Sequence, residues 1–132
     1  MRRLTLLTAL IFTVMFSSTS FAGWKEVTES VDDETFYVDI ERVRKVDGYI
    51  YYWMLMDLST PLADGNVFSA VLRNKIDCPS EGMKSNPIHY YTQEMGKGDR
   101  YMSSEIEPSS WTYPPPGSAY YALLGVACDY DF

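Results

Sequence analysis

The stretch Tyr49 to Leu58, Y-I-Y-Y-W-M-L-M-D-L, constrains the fold more than any other part of the chain. It is bounded by Asp47-Gly48 and Ser59-Thr60-Pro61 and contains no Gly or Pro. That pattern predicts a long β-strand, because Tyr, Trp and Ile suit a pleated surface and turn residues flank both ends. Alternation puts Ile50, Tyr52, Met54, Met56 and Leu58 on one face, and Tyr49, Tyr51, Trp53, Leu55 and Asp57 on the other. Both faces are mostly apolar, so the expectation is a central strand covered on both sides for most of its length.

Its neighbours follow from turn chemistry. Asp47-Gly48 between Val46 and Tyr49 is a hairpin signal, and Asp64-Gly65-Asn66 makes the next turn. Asn66 to Asp77 then alternates, with Phe68, Ala70, Leu72 and Ile76 inward and Ser69, Arg73, Lys75 and Asp77 outward. Trp24 to Glu29, Thr35 to Asp39 and Ile88 to Met95 read as further strands, and Ile40 to Lys45 as a helical turn. Pro79 to Pro87 reads as a polar loop. Ser103 to Pro116 holds four of the seven prolines and reads as an irregular crossing with a polyproline stretch. Ser118 is a good helix N-cap, and Tyr121, Leu124, Gly125 and Cys128 follow at helical spacing, so a short amphipathic helix closes the chain. Gly125 and Val126 leave a terminal strand as the alternative. The expected class is α+β: a mainly antiparallel sheet of five to six strands with a short C-terminal helix packed on it.

Before this domain lies a targeting segment. Arg2 and Arg3 precede an apolar core from Leu4 to Phe16, and Ser20 and Ala22 are small residues at the positions a signal peptidase reads. The reading is a secretory signal peptide over residues 1–22 and a single domain over 23–132, with a retained anchor as the lesser alternative. The core is shorter than the ~20 residues of a span. No Cys follows it that could carry lipid. Removing Arg2 and Arg3 from the 11 basic residues leaves 9 against 18 acidic ones, a net charge of −9. Such a chain as a whole should avoid nucleic acid, anionic lipid and sulfated glycans. Export puts Cys78 and Cys128, the only cysteines, in an oxidising compartment, where a disulfide between them is expected.

Chemistry-bearing patterns are few. His89, the single histidine, lies beside Tyr90 and Tyr91 and lacks a nucleophile motif, so an ordinary sheet residue is favoured over a general base. Zinc needs more His or Cys ligands than are present. Asp32-Asp33-Glu34 lacks the spacing of a calcium loop and reads as a solvated turn. Gly96-x-Gly98 opens no helix that would cradle phosphate, and Lys97-Gly98-Asp99 is an integrin-type tripeptide too short to weigh. A carboxylate pair for glycoside hydrolysis is a three-dimensional matter. No catalytic residue, cofactor or metal is expected. The 11 tyrosines and 3 tryptophans exceed what one small core needs, and such residues are favoured at recognition surfaces. Trp111 and Tyr113 beside the prolines, with Tyr90 and Tyr91, form the expected protein-contact surface. Ile88 to Gln93 has no charge when His89 is neutral, and is the expected poorly defended sheet edge for a homodimer or a docked partner.

An ordered set of residues resembles the surface-adhesin protein E family of Gram-negative bacteria. It runs through Trp24, Phe36-Tyr37-Val38-Asp39, Ile40 with Arg42, Gly48, Trp53, Ser69-Ala70 and Ile76-Asp77-Cys78. Met95-Gly96-x-Gly98, Trp111, Pro116-Gly117-Ser118 and Cys128 complete it. The resemblance implies an antiparallel sheet carrying a C-terminal helix, one disulfide, a tendency to dimerise, and adhesins that bind host matrix and serum proteins. The expected function is therefore an exported, non-enzymatic binding protein in the periplasm, at the cell surface or outside the cell. Two alternatives stand: an inhibitor or assembly partner of an envelope enzyme, and a ligand carrier or hydrolase with a pocket near His89.

Overall fold

The computed structural model describes residues 23–30 and 32–130, so the expected signal segment lies outside the described residues. The strands are β1 (Trp24–Glu29), β2 (Thr35–Asp39), β3 (Arg44–Val46), β4 (Tyr49–Leu62), β5 (Val67–Asp77), β6 (Gly82–Tyr91) and β7 (Arg100–Ser104). Short 3-10 turns occupy Ile40–Arg42 and Glu94–Gly96, and one helix, α1 (Ala119–Cys128), ends the described chain. All strand pairs are antiparallel, in the order β1-β2-β4-β5-β6-β7, with β3 pairing the first residues of β4 and β2 its middle.

The 14-residue β4 is central, as its composition demands. Asp47 and Gly48 both take positive φ, 52° and 85°, and close the two-residue hairpin onto β3. Helix α1 covers one face only. Leu123, Leu124 and Ala127 meet Ile50, Tyr52 and Met54 of β4, Phe36 and Val38 of β2, and Ala70, Leu72 and Ile76 of β5 in a single buried cluster. Ser118 caps the helix, accepting the Tyr121 N–H at 3.2 Å. Its inward stripe is rotated from the expected one. Tyr120 sets its ring edge-on to Phe36 at 5.6 Å, while the Tyr121 hydroxyl reaches the rim and donates to Glu81 at 2.7 Å. Cys128 and Cys78 are bridged across 50 residues. On the loop-entropy model this pins the helix to the end of β5 with about 4 kcal/mol of stabilisation.

Further expectations change. The sheet has seven strands, beyond the expected five to six. β6 starts at Gly82, inside the expected loop, because a register shift between Leu72 and Asn74 gives Pro87 a place where the ladder is interrupted. Ile88 to Tyr91 is no edge: β7 pairs with it, so the outer strands are β1 and β7. The second face of β4 is not covered for most of its length. Only Leu55, near its middle, is fully buried there, beneath the Glu94–Gly96 turn, whereas Tyr49, Tyr51 and Trp53 are half-buried.

Two of the buried polar groups tie the sheet together. On the helix side the Asn74 amide donates to the Tyr52 hydroxyl at 3.1 Å and its oxygen accepts from Ser85. On the other side Ser69 donates to the Gln93 carbonyl at 2.6 Å and accepts from the Gly96 N–H at 2.9 Å. Asp57 takes the Met95 N–H at 2.7 Å. These three bonds hold Met95 and Gly96 at positive φ, 58° and 69°, and a Cβ on Gly96 would lie 3.0 Å from Val71. The turn needs glycine there.

Candidate functional site

The uncovered face of the sheet carries an aromatic row under a layer of cations. Alternation sends Tyr49, Tyr51 and Trp53 of β4 to this side. The register of β4 against β5 sets Tyr51 opposite Lys75 and Trp53 opposite Arg73, and β5 against β6 sets Lys75 opposite Lys84. Arg44 on β3 faces Tyr51 from the other side. The Arg73 guanidinium lies 5.2 Å from the centre of the Tyr51 ring, and that of Arg42 5.6 Å from Trp53. Lys75 sits 4.4 Å from the Tyr49 ring and 5.7 Å from Trp111, with Lys84 5.0 Å from Trp111. Each such contact contributes about 0.5–1 kcal/mol at an exposed site. The long stems shield the rings while the charged ends stay in water. This is why an apolar-looking face can do without a second layer.

Trp111 reaches this face because Thr112 forms a two-bond bridge with Met83, at 2.8 and 3.0 Å, on the outer side of β6. Its ring stacks on Tyr49 at 5.7 Å. The other expected contact residues lie elsewhere. Tyr91 is on the same face but at the β7 end, beneath Arg100 at 5.9 Å. Tyr90 points to the helix side and packs against the core cluster. Tyr113, 60% exposed, lines a cleft of about 420 Å³ with Leu72, Met83, Ile88, Pro114 and Tyr120. A second open cleft, of about 530 Å³, lies beside the Glu94–Gly96 turn.

His89 belongs to the uncovered face. It stacks on Trp53 at 6.4 Å, and its Nδ1 contacts the cross-strand Ser103 hydroxyl at 2.8 Å. Burial lowers its pKa, and the nearby Arg100 pushes the same way. Neither cleft is lined by it. Among the described residues, no group of three His, Cys, Asp or Glu side chains could hold a metal. No helix among them is long and apolar enough to cross a membrane.

Sequence reasoning missed the cations. Arg42, Arg44, Arg73, Lys75 and Lys84 are five of the nine basic residues that follow Arg3, gathered on one face of an acidic chain. Only Arg42 has a carboxylate partner, Asp39; the other four form no ion pair among the described residues. The alternation of Arg73 and Lys75 was readable, but which rings they meet depends on register.

No curated protein matches the sequence. Solved structures of Haemophilus influenzae protein E share the fold. Crystal form II is similar with a TM-score of 0.66 at 13% identity, over 84% of this chain and 90% of that one. A second structure gives 0.58 at 14%, over 84% and 86%, and that from the non-typeable organism 0.53 at 13%, over 86% and 80%. Residues 24–129, nearly the whole described chain, match the model of one family. The chain belongs to the surface-adhesin protein E family.

Proposed function

We propose that this is an exported, non-enzymatic binding protein of adhesin type, working at the cell surface or outside the cell, and that its contact face is the uncovered side of the sheet. The observation carrying this reading is the set of half-buried Tyr49, Tyr51 and Trp111 rings under Arg73, Lys75 and Lys84, which have no carboxylate partner among the described residues, with Trp53 beside them under Arg42. Tyr, Trp and Arg are the residues that anchor protein interfaces, and rings already held by neighbours lose little freedom on docking. Family membership supports the adhesin class, and the expected signal segment supports export. A partner is therefore a protein of the host matrix or serum, met on a flat face. Binding to a panel of immobilised matrix and serum proteins tests this, with Arg73→Glu/Lys75→Glu as the probe variant. Loss of more than tenfold in affinity for a bound panel member is expected, about 1.4 kcal/mol or more. Undiminished binding by that variant, or no binding to any member, would contradict the reading.

A further inference from the structure

The cation row invites a question that fold stability does not answer. Lys75 and Lys84 are directly opposite in neighbouring strands, an arrangement of like charges that opposes folding. Both hang over the Trp111 ring, and neither has a carboxylate partner among the described residues, although acidic residues outnumber basic ones 18 to 11 in the chain. Arg73 lies two residues along β5 from Lys75 on the same face, likewise without a carboxylate partner among the described residues. The three cations line a pocket of about 100 Å³ with Tyr51, Asn86 and Glu107. In that pocket the Asn86 amide donates to Glu107 at 2.9 Å, while its oxygen is buried without a donor.

We infer that Arg73, Lys75 and Lys84 form a site for an extended acidic peptide segment of the partner protein; this rests on the proposed contact face. Two features favour a peptide. Residues two apart on an extended chain are separated by about 6.8 Å, the same repeat that separates Arg73 from Lys75, so alternate carboxylates fall into step with the cations. Arg73 offers a planar fork that matches a carboxylate.

The test is titration of the purified protein with a decapeptide alternating Glu and Thr. A Gln–Thr decapeptide and a sulfated decasaccharide serve as comparators, and the indole N–H resonances of Trp24, Trp53 and Trp111 are followed. Saturable binding of the acidic peptide is expected, weakening as salt screens the charges. It should shift Trp53 and Trp111 but not Trp24, and be at least tenfold weaker in R73Q/K75Q/K84Q, about the loss of one strong charge-assisted contact. Should that variant fail to fold, K84Q alone should weaken binding about threefold. No binding of the acidic peptide, equal binding of the neutral peptide, tighter binding of the sulfated sugar, or an unaffected variant would each overturn the inference. If the protein still bound matrix proteins through the uncovered face, the proposed function would survive that failure.

Discussion

Tyr52 sits at the centre of the helix-side core, fully buried, with its hydroxyl satisfied by Asn74. Burial drives its pKa well above the ordinary 10.0, against a smaller opposing effect of the Asn74 bond. The folded state therefore keeps a proton that the unfolded chain gives up. Stability from this residue is complete below pH 10 and is lost as the pH rises above it. Tyr52→Phe should cost about 1 kcal/mol at pH 7, the worth of one net hydrogen bond, and lose less than the natural protein on going to pH 11. Denaturant titrations at the two pH values measure this; parallel losses would contradict it. Asp57 behaves in a related way on the other face. Its carboxyl is raised chiefly by burial, with the Met95 N–H opposing the rise. Its ionised form thus weighs against the fold, and that penalty grows as the pH rises through the folded pKa. Asp57→Asn keeps an acceptor for Met95 and should be as stable at pH 7 or slightly more so. Asp57→Ala leaves that N–H unpaired and should lose about 1–2 kcal/mol. Equal effects of the two substitutions would show that the charge, and not the turn contact, matters.

At the scale of elements, the ends of the sheet set the next prediction. β7 is a five-residue outer strand carrying Tyr101 and Met102, 45% and 52% exposed, and Ile106 just beyond is 82% exposed. β1 at the opposite edge carries Lys25, Glu26 and Glu29, which defend it. A homodimer, if formed through an edge, should use β7. Light scattering across a concentration range, with Met102→Lys as the disrupting variant, is expected to show a dimer that the variant splits. A monomer at all concentrations would contradict this. The same elements show what the sequence could reveal. β4, its Asp-Gly hairpin and the Ser118-capped helix were legible because each rests on local chemistry. β7 was not: R-Y-M-S-S has no apolar alternation, and it is a strand because it extends β6. Pro87 marked a loop until a register shift gave it room. The candidate site was hidden for a similar reason. A register shift between Asp57 and Leu62 moves β4 against β5, so the pairing of Tyr51 with Lys75 cannot be counted back from the Asp64-Gly65 turn.

For the molecule as a whole, one helix and one sheet make two unlike sides. The helix side holds the core and the disulfide; the other side keeps cations and rings in an otherwise acidic chain. Such a field attracts an acidic patch to one side and discourages it elsewhere, which orients an encounter before contact. Lysine positions allow a direct measurement: Lys75 and Lys84 lie on the uncovered face, whereas Lys25 is on β1 and Lys45 pairs opposite Ile50. Acylation of surface lysines, read by mass spectrometry with and without a bound matrix protein, reports which face the partner covers. Protection of Lys75 and Lys84, with Lys25 and Lys45 still reactive, is expected. Protection of Lys25 or Lys45 while Lys75 and Lys84 remain reactive would contradict it.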